Sequence, residues 1–364
     1  MRLPTYDDLI PEQRDLLDHP LNKPLFVAGP PGSGKTILAV RRGGMVADAG
    51  HTVVLVTYNR MLRRLSALLN ETAARSDTMH RFLFHDYRGK TGNHPEHVGS
   101  SSYDYDFPSM LAALKGHPNA DATWDHVVVD EGQDLPEGFF RYASEHGGKT
   151  LTVFADEEQA LSERHTTLEQ IRAAANLPKA ELLTENHRNS IEIAVVASHF
   201  HGGKLPVATV RRGLLGQRPR LLHRSSIGDT AEFVANWAAT RGGTIGVVVS
   251  RNATGVAVHR EIQARMPTGR VDIYTSGRDN EDAIALLEDG VTVLNEKSVK
   301  GQEFDSVFIL ELGRFIPCSD AVMRRTMYML CSRARDHLFL VHGPAPLSPA
   351  ALATLPGEDL LERG

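Results

Sequence analysis

Cysteine is scarce: only Cys318 and Cys331 occur among 364 residues. Two thiols are too few for a disulfide framework or a cysteine-built zinc site. They fit a reducing cytosol, so a cytoplasmic location is expected. Aromatic residues make up 6% of the chain, and no RNP-type aromatic signature or zinc finger for sequence-specific recognition stands out. No apolar run approaches the ~18 residues of a membrane span, so no membrane partner is expected. The opening residues MRLPTYDDLI lack the apolar stretch of a secretory leader. There is no surplus of positive charge either. Lys and Arg number 40 against 45 Asp and Glu, for a net charge of -5. The whole molecule is therefore not drawn to a polyanion, although a local basic groove remains compatible with that balance. The 17 histidines include no HExxH and no other zinc-ligand spacing.

What is present is a hydrophobic fraction of 41% and a charged fraction of 23%, ordinary for a globular protein. The length suggests two domains. Short apolar runs recur at 25–28, 52–56, 126–129, 151–154, 245–249, 291–294, 307–310 and 338–341. Each reads as a strand buried on both faces of a parallel sheet. Helix-like stretches at 36–49, 61–69, 190–199, 230–239 and 256–264 lie between them, which predicts an α/β architecture. Residues 86–108 and 201–220 read as loop-rich, and no repeat of fixed period is visible.

The strongest motif is Gly29-Pro30-Pro31-Gly32-Ser33-Gly34-Lys35-Thr36, a full G-x-x-x-x-G-K-[ST] between a strand and a helix. Its glycines let backbone amides and a helix N-terminus wrap an anion. Lys35 is expected to reach the terminal phosphates of ATP, and Thr36 to coordinate Mg2+. A second strand, HVVV, ends in Asp130-Glu131. Asp130 is expected to hold Mg2+, and Glu131 to act as the general base that orients water. A third ends in ADEEQ, where the Gln159 amide can both donate and accept near a γ-phosphate.

These motifs, in this order, resemble a superfamily 1 nucleic-acid helicase of the UvrD/Rep type, from about residue 5 to 342. Gln13, 16 residues before Gly29, resembles the family's adenine-reading glutamine. LVTYNR, with Thr57, Tyr58, Asn59 and Arg60, and TMHRF, with His80, resemble motifs that contact single-stranded nucleic acid. ENHRN resembles N-Y-R-x, which makes His187 the counterpart of the base-stacking tyrosine and Arg188 an arginine finger. SVKGQEFD resembles S-x-K-G-L-E-F. There Ser298 falls at a strand contact, Gly301 at a close backbone approach and Glu303 at the ribose. RRTMYMLCSRARD resembles the last motif, with Arg333 as a second finger. The resemblance implies two RecA-like P-loop NTPase domains, each a mainly parallel sheet flanked by helices. They span 1–168, with a reduced insertion near 84–122, and 169–345, followed by a tail at 346–364. It implies a DNA helicase or translocase that hydrolyses ATP with Mg2+ between those domains. Single-stranded nucleic acid is its expected partner, DNA ahead of RNA, with 3′ to 5′ the expected polarity.

The match has departures. Ile37 stands where the family commonly has an adenine-packing arginine, and Ala160 to Glu163 replace aromatic residues that stack on bases. About 44 residues separate Phe82 from Val127, and about 16 separate Tyr274 from Val291, too few for the large inserted subdomains. These departures support a second reading: an ATPase switch subunit of a larger DNA-processing or phage-defence complex, with a protein partner such as a separate nuclease. Two basic groups are candidate phosphate contacts: Arg60, Arg63, Arg64, Arg81, Arg88 and Lys90, then Arg211, Arg212, Arg218, Arg220 and Arg224.

Overall fold

The computed structural model describes residues 5–58, 60–69, 74–99, 104–156, 166–202, 208–275, 284–285 and 287–364. Contacts divide the chain into two units. One comprises the residues up to Gly29 together with Gly34–Leu183, the other Pro30–Ser33 and Thr184–Gly364.

The first unit carries a six-stranded sheet: β1 (Leu25–Ala28), β2 (Val53–Thr57), β3 (Arg75–Thr78), β4 (Trp124–Val129), β5 (Gly148–Ala155) and β6 (Glu181–Leu182). The order is β3-β2-β4-β5-β1-β6, and every neighbouring pair is parallel. Parallel neighbours need crossovers. These are supplied by α2 (Lys35–Asp48), α3 (Arg60–Leu69), α4 (Met79–Thr91), α5 (Phe107–Leu114), α6 (Glu137–Tyr142) and α7 (Leu168–Ala174), while α1 (Pro11–Leu17) precedes β1. The chain leaves β1 and re-enters the sheet three positions away, with β5 and β4 between β1 and β2. A reversal of this kind opens a crevice at the carboxyl ends of the strands. One core cluster joins Phe26, Val54, Val127 and Val153 of the sheet to Phe82, Phe139, Phe140 and Tyr142 of the helices.

The second unit has a short ribbon, β7 (Glu185–Asn186) with β8 (Thr209–Val210), and a seven-stranded sheet. The sheet strands are β9 (Arg220–His223), β10 (Thr244–Val249), β11 (Val271–Tyr274), β12 (Gly290–Asn295), β13 (Phe304–Ile309), β14 (Ala334–His342) and β15 (Glu362–Arg363), in the order β11-β12-β10-β13-β14-β9-β15. All these pairs are parallel too. Its helices are α8 (Ile191–Ser198), α9 (Ile227–Arg241), α10 (Asn252–Arg265), α11 (Ala321–Cys331) and α12 (Pro349–Ala353). Phe308 and Phe339 stack at 4.4 Å in the core, beneath Phe233 and Trp237 of α9. Both units are thus α/β, with a parallel sheet flanked by helices, as the apolar runs predict. No helix among the described residues is long and apolar enough to cross a membrane.

The expected boundaries move. The residues after 168 stay with the first unit up to Leu183, because β6 pairs with β1 and the Leu183 N–H donates to Ala28 O at 2.8 Å. The stretch 346–364 is no free tail, since β15 closes the edge of the second sheet against β9. The loop-rich stretch 86–108 holds the end of α4 and the start of α5.

The sheets share a device that the sequence hides. At the foot of β4, Asp125 Oδ2 accepts both the N–H and the hydroxyl of Thr52, at 2.9 Å each. At the foot of β13, Asp305 Oδ2 does the same for Thr244, again at 2.9 Å. At the far ends of these strands Glu131 and Glu311 both adopt left-handed backbone, each with φ 55°, and each opens a short 3-10 turn.

Several polar side chains are buried and satisfied. Arg42 of α2 donates to Thr152 Oγ1 (3.0 Å), His19 O (2.8 Å) and Pro20 O (2.9 Å), and burial lowers its pKa to about 10. It fastens the segment after α1 to the helix that follows the phosphate loop. Lys90, expected among the nucleic-acid cations, is buried instead. Its ammonium sits on both oxygens of Asp86 (3.0 and 2.9 Å), which also accepts the Tyr142 hydroxyl (2.6 Å). A buried carboxylate left without a partner is strongly destabilising, so Lys90 is buried with Asp86 rather than held in solvent. The second basic group is likewise spent on the fold. Arg212 pairs with Asp336, Arg218 donates to Glu358 O, Arg220 lies 3.5 Å from Glu362, and Arg224 covers the Phe233 ring.

His126 donates to or accepts from Thr152 Oγ1 at 2.8 Å, and burial, reinforced by Arg42, pushes its pKa down to about 4. An unfolded histidine titrates near 6.5. Between those values the unfolded chain binds a proton that the folded protein refuses, so stability is lost as pH falls through that window. The urea midpoint of the protein is expected to fall more steeply from about pH 7 to about pH 5 than that of His126→Gln. Parallel pH profiles would show that His126 is not the group responsible.

Candidate nucleotide site and nucleic-acid contacts

The phosphate loop leaves β1 at Gly29. Gly32 and Gly34 have φ of 79° and 89°, a left-handed region that side chains resist. The Ser33 hydroxyl donates to Pro30 O (2.8 Å), and α2 starts with the Leu38 N–H bonded to Gly34 O (2.9 Å). The backbone conformation thus follows the glycine pattern, with Ser33 between the two left-handed glycines. Gly34 meets the Gln13 amide: a Cβ placed there would lie 2.8 Å from Nε2. Gln13 is buried in α1, so the structure sets the expected adenine reader against the loop itself.

Lys35 is buried. Its Nζ donates to Gly29 O (2.8 Å) and lies 3.4 Å from Asp156 Oδ2. Asp156 follows β5, the strand between β1 and β4, and is fully buried. Its backbone N–H donates to Gln133 Oε1 (2.8 Å), and Gln133 Nε2 donates to Glu131 Oε2 (2.6 Å). The expected phosphate lysine and general base are therefore joined through two residues that the motif analysis did not single out. A glutamine amide presents a donor and an acceptor at once, which suits it to this position. The only sequence signal was its place in DEGQD.

Asp130 is fully buried beside Glu131. One oxygen accepts the Glu131 N–H (3.0 Å), and Oδ2 is buried with no hydrogen-bond partner among the described residues. Burial first, and then the Glu131 charge, raise its pKa to about 7, while the Thr36 hydroxyl, Lys35 and the Glu131 amide oppose the rise. A carboxylate held at such cost, with an orphaned oxygen and a threonine hydroxyl nearby, has the hard oxygen donors that Mg2+ takes. No cluster of three His, Cys, Asp or Glu able to hold a metal occurs among the described residues. The remaining ligands of Mg2+ would accordingly come from phosphates and water, its usual pattern. Gln159 lies outside the described residues.

In the second unit, ENHRN is held by side-chain bonds. Asn186 Oδ1 accepts the N–H groups of Arg188 (3.0 Å) and Asn189 (3.2 Å), and its Nδ2 donates to Asn189 Oδ1 (2.7 Å). Asn189, fully buried, donates to Ser332 O (3.1 Å) and to Ala334 O, the carbonyls flanking Arg333. Arg212 donates to Arg188 O (2.7 Å) and Arg335 O (3.0 Å). The two segments that carry Arg188 and Arg333 are thereby fastened to each other. Arg188 Nε itself donates to Glu303 Oε2 at 2.6 Å, so the expected finger and the expected ribose ligand satisfy one another. Arg333 is buried, with Nε on Met329 O (3.0 Å). His187 is half-buried beside Glu185 (3.1 Å), and Gly301 has φ 79°.

Of the expected nucleic-acid contacts, Thr57 is fully buried at the end of β2, paired with Thr78 of β3. Tyr58 is 45% exposed, and Arg60 opens α3 at the surface. Asn59 lies outside the described residues. His80 is half-buried, with Nδ1 3.0 Å from the Tyr105 hydroxyl, and burial followed by the His97 charge lowers its pKa. Ser298 is buried in the turn after β12, its N–H on Asn295 O (2.9 Å).

Residues 13–165 match the AAA domain family, a span that holds the whole phosphate loop together with Asp130, Glu131, Gln133 and Asp156. Among solved structures, the chain is similar to the C-terminal domain of a possible DNA helicase from Lactobacillus plantarum WCFS1. Identity is 21%, over 49% of this chain and 98% of that one, with a TM-score of 0.34. It is also similar to the PRRSV helicase at 14% identity, over 92% of this chain and 54% of that one, with a TM-score of 0.43. The chain thus spans about half the length of that helicase. No curated protein matches the chain.

Gly34 combines a left-handed backbone with the close Gln13 amide. Gly34→Ala is expected to cost about 1–2 kcal/mol from the backbone alone, read as a lower urea midpoint without nucleotide. An unchanged midpoint would show that the loop relaxes freely.

Proposed function

We propose that this chain is an ATP-dependent nucleic-acid helicase or translocase of superfamily 1, of the UvrD/Rep type, acting on single-stranded DNA with 3′ to 5′ polarity. The observation that carries the reading is the bonded path Lys35–Asp156–Gln133–Glu131 beside an Asp130 carboxylate whose Oδ2 is buried with no hydrogen-bond partner among the described residues. A phosphate-binding lysine, a cation-holding carboxylate and a base on one set of strand ends are the parts that ATP hydrolysis requires.

In this reading the loop amides and Lys35 bind the phosphates. Asp130 and Thr36 hold Mg2+, which neutralises charge on the phosphate oxygens when bound. Glu131 Oε2, oriented by Gln133, stands among the groups that draw the proton from the attacking water. Asp156 holds the Lys35 ammonium close to the loop until phosphate oxygens compete for it. Gln13 and His187 are the proposed base contacts, and Glu303 the ribose contact. Arg188 and Arg333 act on the charge that develops on the γ-phosphoryl oxygens, a role worth ~10³–10⁵ in rate elsewhere. Because Asn189 and Arg212 fasten their segments together, the two guanidinium groups are delivered as one element. Thr57, Tyr58, Asn59, Arg60, His80 and Ser298 are the proposed strand contacts.

One observation favours the alternative reading, a switch subunit with little unwinding of its own. Arg188 is engaged by Glu303, so a partner that releases it would also switch on turnover. The deciding measurement is steady-state ATPase of the full chain alone, with single-stranded DNA, with single-stranded RNA and with duplex. Stimulation by a single strand supports the motor; ATP binding without stimulation by any polymer favours the switch. Glu131→Gln is expected to retain ATP affinity and abolish turnover. Arg188→Ala is expected to lower turnover by more than about tenfold with affinity retained. Wild-type turnover in Glu131→Gln would overturn the base assignment.

A further inference from the structure

Along α4, His80, Phe84 and Arg88 recur every four residues and so share one helix face. Rings gather on that face from outside the helix. Tyr105 lies 5.4 Å from the His80 ring and bonds its Nδ1 at 3.0 Å. His97 lies 4.6 Å from Tyr105 at an interplanar angle of 31°, and the two residues form a backbone bridge. Further along, His94 lies 5.2 Å from the Phe84 ring, and the Arg88 guanidinium covers that ring at 5.6 Å. His85, Arg88, His94 and His97 are exposed, and Arg81 is 56% exposed beside them. The acids of the region are mostly occupied. Asp86 is buried on Lys90, and Asp77 is held by Arg75 (2.6 Å) and Arg81 (3.1 Å); Glu96 and Asp104 are exposed.

We infer that this face of α4, capped by Tyr105 and His97, is a stacking surface for single-stranded nucleic acid. The inference rests on the function proposed above and extends it, since of these residues only His80, Arg81 and Arg88 are strand candidates from the sequence, and the rings of Phe84, His94, His97 and Tyr105 are not. Rings interleaved with exposed guanidinium groups fit unpaired bases and the phosphates between them, without sequence preference. Duplex offers no open base faces to such a ladder. The surface supplies the aromatic contacts that Ala160 to Glu163 lack in sequence. It is assembled largely from the short insertion, which thereby has a role in holding the strand.

The test is fluorescence anisotropy of the full chain with labelled oligo(dT) and oligo(rU). The variants His97→Ala and Arg88→Ala change exposed side chains and should leave the fold intact. Each is expected to weaken strand binding by about fivefold or more, with strand-independent ATP turnover unchanged. Arg88→Ala should also lower the slope of log affinity against log salt by about 0.7. His97→Trp is expected to tighten binding. Wild-type affinity in both alanine variants, with the parent binding the strand, overturns this surface alone. A parent that binds neither oligomer overturns the nucleic-acid reading beneath it.

Discussion

Gln133 holds the candidate site together. It is fully buried, takes the Asp156 N–H on one end of its amide and gives a hydrogen to Glu131 on the other. Asp156 in turn faces the Lys35 ammonium. One side chain, donor and acceptor at once, thus ties the end of β4 to the end of β5, and the Lys35 ammonium carries the link on to Gly29 after β1. A carboxylate in its place would present only acceptors to Glu131, and an apolar residue would leave two buried polar groups unmet. The placement of Glu131 relative to Lys35 is therefore a matter of packing, whatever chemistry it serves.

The same logic governs Asp130. A carboxyl without solvent, beside another carboxylate, is pushed toward its neutral form. A divalent ion reverses that balance, because it favours the charged carboxylate in the same dry place. In the proposed function, the unfavourable burial of Asp130 and the binding of a divalent ion are therefore coupled.

Much of this was legible in the sequence. The eight apolar runs each lie in a strand, because a parallel sheet covered on both faces needs continuous apolar stretches. The phosphate loop and Asp130-Glu131 were legible because they are local patterns. Other features depend on distant partners. The strand RSDT of β3 is polar, and β6, β7, β8 and β15 are two residues each, too short for any periodicity. Lys90 looked like a surface cation because Asp86 and Tyr142 meet it only in the folded chain. The Arg188–Glu303 pair joins residues 115 positions apart, and Asn189 reaches Ser332 across 143. Spacing identifies a motif but does not reveal which motifs grip each other.

The left-handed corners at Glu131 and Glu311 carry one more consequence. Glu131 is bonded by Gln133, whereas Glu311 is covered by Ser250, Thr254 and Arg251 at the head of α10. The two backbones bend alike where the side chains do different things. The strained corner is therefore not a signature of chemistry. It belongs to the way a strand pinned at its foot by a threonine–aspartate lock turns out of a parallel sheet. The architecture makes this corner twice, as a strut in one sheet and as the seat of the proposed general base in the other.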